Sequence, residues 1–269
     1  MKLTLGISPC PNDTFIFDAL INHKIDTEGI EFDVSFADIE QLNKWSLESR
    51  LAITKVSFNA YANCIANYIL INSGSALGKH CGPILVKKPN TILNSDSLIA
   101  IPGRYTTAKM LLDILCPKYK NRIEVLFSDI MDNVILDNVD AGLIIHESRF
   151  LYHEKGLEEV LDLGKIWEEN TDLPIPLGGI VVRRDLSDTI KYKIQRIVKS
   201  SVEYAFRNKN ASSDFVKLHS QEMNKEIIDA HINLYVNEFS ISLGELGRKA
   251  VSKLFEKLEK KHQDYILDS

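Results

Sequence analysis

Gly82-Pro83-Ile84-Leu85-Val86-Lys87-Lys88 and Gly178-Gly179-Ile180-Val181-Val182-Arg183-Arg184 are near-copies of one another. Each reads as a short buried strand: glycine in front, an aliphatic triplet, then two cations at the solvent end. They bracket residues 89–177, enough chain for a lobe with its own strands and helices. The pattern predicts that the chain leaves one lobe at the first strand and returns at the second. The first lobe then comprises residues 1–88 and 178–269, including the C-terminal helices, and the second comprises residues 89–177. Two crossings imply a cleft between the lobes, and such clefts are preferred ligand sites. The alternative is that two ordinary α/β strands share a common pattern.

Outward from these strands, the periods alternate. Leu3–Ile7 reads as a strand, and after a Pro-rich turn Asp13 opens a helix through Phe15, Ile16, Ala19 and Leu20. Ile30–Phe36 alternates as a strand, followed by a helix that Asp38 starts. Leu51–Thr54 and Tyr68–Ile71 read as strands flanking a helical stretch from Ser57 to Ala66. Within the bracket, Leu98–Ile101, Ile123–Phe127, Ala141–Ile145 and Val160–Leu163 read as strands, with helices over Tyr105–Leu115 and Ile130–Leu136. Strands separated by such helices imply βαβ units and mixed, mainly parallel sheets flanked by helices. The tail is helical: Ile190, Ile194, Ile197, Val198, Val202 and Ala205 mark one apolar face, and Leu243, Leu246, Ala250, Leu254 and Leu258 another. Charges at Glu256, Lys257, Glu259, Lys260 and Lys261 read as a solvated helix face.

The chain has 269 residues, 45% hydrophobic and 26% charged, with a net charge of −5. That acidic balance argues against nucleic acid, which needs a basic face. No apolar run is long enough to span a membrane. The opening apolar run is cut by Ser8-Pro9-Cys10-Pro11-Asn12-Asp13 where a secretory signal would continue, so a cytoplasmic protein is expected. Cys10, Cys64, Cys81 and Cys116 form no C-x-x-C pair and read as buried thiols. The sequence does not address oligomeric state.

Ligands of α/β sheets bind beyond the carboxyl ends of strands, which selects four places. Ser8–Thr14 is a stiff turn whose two prolines remove amide donors; Asn12 or Asp13 can cap the next helix. Cys10 as a nucleophile has no neighbour in sequence to lower its pKa. Thr54-Lys55-Val56-Ser57 offers a cation and a hydroxyl that could hold an anion, or else a capping serine and a surface lysine. Gly103-Arg104-Tyr105-Thr106-Thr107-Ala108 offers hydroxyls and N–H groups at a helix start, suited to one carboxylate, or else a simple Thr106 or Thr107 cap. Ala141-Gly142-Leu143-Ile144-Ile145-His146-Glu147 delivers His146 at a strand end, where it could take a proton near neutral pH. Glu147 would point the opposite way if that strand continued. The seven histidines lack metal-motif spacing, and neither a G-x-S-x-G elbow nor a G-x-G-x-x-G fingerprint occurs, so no metal or nucleotide cofactor is expected.

These four motifs, in this order, resemble the 1,4-dihydroxy-6-naphthoate synthases of the futalosine route to menaquinone. The likeness runs from the first strand to about Leu186; the helical tail is less distinctive. The related chorismate dehydratases look less similar in the first and fourth motifs. The resemblance implies a two-lobed fold like the periplasmic solute-binding proteins, made cytoplasmic and catalytic. It implies a lyase acting on a small carboxylate, cyclic dehypoxanthinylfutalosine, and releasing the dihydroxynaphthoate. It also implies that Lys55, Val56 and Ser57 contact substrate from one lobe and Thr107 and Ala108 from the other, with His146 as general base. A carboxylate-binding protein without chemistry is the alternative that the fold alone permits.

Overall fold

The computed structural model describes residues 1–222, 224–259 and 265–267; Lys260 and Lys261 of the expected charged face lie outside them. In chain order the elements are β1 (Lys2–Ile7), α1 (Pro11–Ile21), β2 (Glu31–Phe36), α2 (Ile39–Leu47), β3 (Ile53–Ser57), α3 (Phe58–Cys64), β4 (Tyr68–Leu70), β5 (Ala76–Gly78) and β6 (Ile84–Lys87). There follow β7 (Ile99–Ile101), α4 (Thr107–Leu115), β8 (Arg122–Glu124), α5 (Ile130–Ile135), β9 (Ala141–Ile144), α6 (Ser148–Leu151), β10 (Glu158–Asp162), α7 (Leu163–Thr171) and β11 (Ile175–Arg183). The tail holds α8 (Asp188–Arg207), α9 (Ser213–His219), α10 (Lys225–Tyr235), α11 (Glu238–Ile241) and α12 (Gly244–Lys257). Among the described residues no helix is long and apolar enough to cross a membrane.

The chain divides into two compact units, Met1–Gly78 with Pro176–Ser269, and Lys79–Ile175. This moves residues 79–88 out of the lobe where sequence placed them. β6 pairs with β9 and β10 in the sheet of the second unit, whereas its near-copy β11 pairs with β3 and β4 in the first. The two copies are therefore strands of different sheets. A run of aliphatic residues declares that a strand is buried on both faces, but not which neighbours bury it.

The first unit carries the order β2-β1-β3-β11-β4, with β5 on β11. β1 runs parallel to β2 and β3, and β11 antiparallel to β3 and β4. Its core gathers Leu5, Ile7, Phe17, Leu20, Ile53, Ile180 and Val182 with Ile194, Ile197, Val198 and Val202 of α8. That spacing of three and four along α8 is the apolar stripe expected of a helix packed on one side. Ser201 lies in the same stripe and serves α1, accepting from Leu20 N at 3.1 Å and donating to Ile16 O at 2.6 Å.

The second unit carries the order β10-β6-β9-β7-β8. β7 is parallel to β8 and β9, while β6 is antiparallel to β9 and β10. Both sheets are thus mixed, with parallel pairing wherever a helix returns the chain to the starting edge. The core of this unit is smaller and centres on Ile84, Val86, Ala100, Ile130, Met131, Val134 and Ile144. Gly82 precedes β6 because a side chain there would overlap the backbone of Gly164 at the start of α7.

All four cysteines are free and buried. Burial pushes the thiol of Cys64 up to about 11 and that of Cys81 up to about 12, because an ionised sulfur in an apolar surrounding loses its hydration. At pH 8 roughly one Cys64 in a thousand is a thiolate. Folded protein treated with a disulfide thiol reagent at that pH should leave Cys64 and Cys81 unmodified by mass spectrometry until denaturant is added. Rapid stoichiometric labelling of either would contradict this burial.

Candidate active site

In the first unit β1 and β3 are parallel neighbours, Leu5 facing Ile53 and Gly6 facing Thr54. The turn after β1 and the end of β3 therefore emerge at the same edge of the sheet. Pro11 takes the first helical position of α1, where a missing N–H costs nothing, and Cys10 rather than Asn12 or Asp13 occupies the N-cap. The carbonyl of Cys10 accepts from Asp13 N and Thr14 N.

Asp13 is thereby released from capping and turns its carboxylate back into the turn. One oxygen accepts from Ser8 N at 3.3 Å and Ser8 Oγ at 2.7 Å. The other accepts from Asn12 Nδ2 at 2.9 Å and from Lys55 Nζ at 2.7 Å. Asp13 is 1% exposed and Lys55 5%, so this is a buried ion pair and Lys55 is not a surface lysine. The Lys55 cation, expected to be open to an anion, is already compensated within its own unit.

Asn12 continues the network. Its amide nitrogen donates to the carboxylate, so its Oδ1 is the atom that faces His231 Nε2 at 3.0 Å. A carbonyl oxygen only accepts, which places the proton of this contact on His231 Nε2. His231 is fully buried on α10. Sequence reading passed over it, although Ile228, His231 and Tyr235 share one buried face at helical spacing. That spacing shows the ring points inward, not what it meets.

Val56 and Ser57 complete β3 with 0% and 4% exposure. A Cβ at Gly178, the residue opposite Ser57 in β11, would stand 2.6 Å from the carbonyl oxygen of Val56. Glycine in the second near-copy therefore lets β11 approach β3 where the Lys55-Val56-Ser57 segment must be held. Ser57 sits at the N-cap of α3 but its side chain makes no capping bond. Asn43 of α2 engages it instead: Ser57 N donates to Asn43 Oδ1 at 2.9 Å, and Asn43 Nδ2 donates to Ser57 Oγ at 3.1 Å.

In the second unit β7 and β9 are parallel neighbours, with Ile99 facing Ala141 and Ala100 facing Gly142. The loops that follow them, one leading into Thr107 and Ala108 and the other carrying His146, leave the sheet at the same edge. Thr106 caps α4 by accepting from Lys109 N at 3.2 Å, and its own hydroxyl donates to Gly103 O at 2.8 Å. Thr107 and Ala108 are then the first two helical residues, each 3% exposed. Their N–H groups belong to the turn that points away from the helix's own carbonyls, at the positive end of its dipole.

The strand expected to run through Ile145 stops at Ile144, and His146 occupies the turn beyond it with φ +56°. A left-handed backbone at a residue other than glycine is uncommon and costs about 1–2 kcal/mol. Here it redirects the chain from β9 into α6. The ring packs against Phe127 at 5.0 Å between centroids. Glu147, reckoned by alternation to point away from His146, is in a turn rather than a strand and is 8% exposed. The turn is pinned by Arg149, which donates to Gly82 O and pairs with Asp162 at 3.1 Å. Asp162 in turn caps α7 through Gly164 N and Lys165 N. Arg149 thus ties the histidine turn to both the start of β6 and the start of α7.

A sequence profile described as menaquinone biosynthesis matches residues 3–260. Two curated relatives, both named 1,4-dihydroxy-6-naphtoate synthase, come from Thermus thermophilus and Streptomyces coelicolor. The first is 43% identical over 257 residues, covering 96% of this chain and 94% of its own length. The second is 38% identical over 257 residues, covering 94% and 91%. A crystal structure of an Archaeoglobus fulgidus protein superposes with a TM-score of 0.91 at 33% identity, covering 96% of this chain and 97% of that one. The ligand-binding component of an ABC-type import system from Staphylococcus aureus follows at a TM-score of 0.73 and 12% identity, covering 100% and 96%. That likeness shows a fold shared with the periplasmic binding proteins and nothing more. Matched by the profile and by both named synthases along nearly its whole length, the chain belongs to the 1,4-dihydroxy-6-naphthoate synthase family of menaquinone biosynthesis.

Proposed function

We propose that the chain is a carbon–carbon lyase that converts cyclic dehypoxanthinylfutalosine to 1,4-dihydroxy-6-naphthoate, with His146 as its general base. Lys55, Val56, Ser57, Thr107 and Ala108 hold the substrate. The observation that carries this reading is the position of His146, in a turn at the carboxyl end of β9. The neighbouring parallel strand β7 leads into Thr107 and Ala108 at the same edge. One imidazole and one helix start thus follow adjacent parallel strands, which supports a proton acceptor working with donors suited to a carboxylate.

The roles divide by chemistry. The hydroxyls of Ser57 and Thr107 and the N–H groups of Thr107 and Ala108 receive the substrate carboxylate, while Lys55, paired with Asp13, holds the end of β3 that carries Ser57. His146 removes a carbon-bound proton, the carbon–carbon bond to the sugar-derived fragment breaks as that fragment leaves, and the second ring becomes aromatic, which makes the conversion downhill. A positioned base contributes about 10²–10⁴-fold in rate, and exclusion of water strengthens every electrostatic contact around it.

Incubating purified protein with the cyclic futalosine derivative should release the naphthoate, followed by absorbance and mass spectrometry. Chorismate is run in parallel. Tight binding of the cyclic substrate with no product would make the protein a carboxylate-binding module, and dehydration of chorismate instead would assign it the sister activity.

A further inference from the structure

Ser57 is a buried serine whose hydroxyl is diverted from the work its position would give it. At the N-cap of α3 a serine ordinarily turns its oxygen onto the N–H of the second or third helical residue; this one makes no such bond. Its oxygen is instead held from behind by Asn43, itself 0% exposed. The orientation of that amide is not ambiguous. Ser57 N–H can only donate, so the atom it meets at 2.9 Å must be Asn43 Oδ1. The other arm, 3.1 Å from Ser57 Oγ, is therefore the NH₂ group, and Ser57 Oγ accepts there. A hydroxyl that accepts at one lone pair still carries its proton, and among the described residues Ser57 Oγ donates to no acceptor. Asn43 is in turn secured by Glu40, whose Oε2 accepts from the same NH₂ group at 3.4 Å, and by Ser46 Oγ, which donates to Asn43 O at 2.7 Å.

We propose that Asn43 is a positioning residue: it clamps Ser57 so that the serine hydroxyl can act only as a donor toward an anionic oxygen of the substrate. This rests on the reading that Ser57 contacts the substrate carboxylate. The clamp also occupies the Ser57 N–H, so the hydroxyl is the single group through which Ser57 side chain or amide can serve that carboxylate. The rotor entropy of the hydroxyl is removed in advance, which is where preorganised sites gain their affinity.

Asn43→Asp tests the polarity of the clamp. A carboxylate accepts from both the N–H and the O–H of Ser57, which turns the hydroxyl proton backward and leaves a lone pair facing the substrate. Loss of a hydrogen bond to a charged group should raise KM roughly ten- to hundredfold, with kcat changed by only a few-fold. Because the new carboxylate would face Glu40, Asn43→Ser serves as a second variant that opens the clamp without adding charge. Both are repeated in a Ser57→Ala background, and each variant's melting curve is recorded.

The inference expects Ser57→Ala to raise KM, and Asn43→Asp or Asn43→Ser to add little once Ser57 is alanine, since they act through the same hydroxyl. An Asn43 effect that persists in full without the Ser57 hydroxyl overturns the positioning role. So does an Asn43 variant that folds with KM unchanged while Ser57→Ala raises it. A Ser57→Ala enzyme with unchanged KM overturns the substrate contact itself, which is a failure of the earlier reading and is thereby told apart.

Discussion

Substituting His146→Asn lowers kcat by about 10²–10⁴-fold while the affinity for the cyclic substrate stays within a few-fold of the original. The first part follows from chemistry: an amide keeps a polar group near the place of the ring's Nδ1 but cannot accept a proton from carbon, so the rate loss is the contribution of general base catalysis. The second follows from the backbone. His146 holds φ +56°, a conformation in which asparagine is enriched several-fold over most residues. Asparagine therefore fits the turn between β9 and α6 at least as well as histidine, and the neighbouring Arg149 contacts to Gly82 and Asp162 are untouched. An alanine would open space beside Phe127, and a β-branched residue would strain the left-handed turn, so either would mix structural loss with chemical loss. Steady-state kinetics, substrate titration and a melting curve on the asparagine variant separate the two. A variant that melts as the parent does and retains turnover within tenfold removes His146 from the mechanism.

The parts of this site that were legible in the sequence are those fixed by local rules. Thr106 caps α4 because a threonine ahead of an apolar helical run has few other uses, and Asp38 caps α2 by accepting from Glu40 N and Gln41 N. The strand that leads to His146 was legible because a short aliphatic run announces where its carboxyl end falls, here one residue earlier than expected. The left-handed turn at His146 was not, since only glycine advertises a positive φ in a sequence. The contacts that decide polarity were out of reach for a different reason. Asp13 and Lys55 are separated by 42 positions, Asn43 and Ser57 by 14, and Asn12 and His231 by 219. Periodicity says that a residue is buried, never which distant group makes its burial tolerable. The same limit misassigned β6. Its unbroken aliphatic run fitted either sheet, and the antiparallel partners that chose the sheet, β9 and β10, come more than fifty positions later. What no spacing rule supplied was the reaction: the names of the curated relatives carry its product, 1,4-dihydroxy-6-naphthoate, while the substrate is proposed from the resemblance of four motifs alone.

The second large effect is expected at Asp13, a residue sequence reading treated as a helix cap. Four donors converge on its two oxygens, from Ser8 N, Ser8 Oγ, Asn12 Nδ2 and Lys55 Nζ, which exhausts the acceptor capacity of a carboxylate. Asp13→Asn replaces one acceptor oxygen with a donor and leaves the Lys55 ammonium, 5% exposed, without its counter-charge. Removing one partner of a buried pair costs about 3–5 kcal/mol. For a unit of this size that lowers the melting temperature by roughly 6–20 °C. The cause is the stranded cation rather than a lost contact, and this yields a sharper expectation. Adding Lys55→Met removes the charge while keeping an unbranched side chain, so the double variant should melt above Asp13→Asn alone, because a buried pair exchanged as a whole for uncharged groups is often close to neutral. Activity should not follow stability back: with Lys55 gone and Ser8 and Asn12 no longer held, the double variant stays impaired at any temperature where it is folded. Calorimetry on the two single variants and the double closes the cycle. If Asp13→Asn melts within a degree or two of the parent, or if Lys55→Met fails to raise it, then Asp13 is not what makes the buried lysine tolerable.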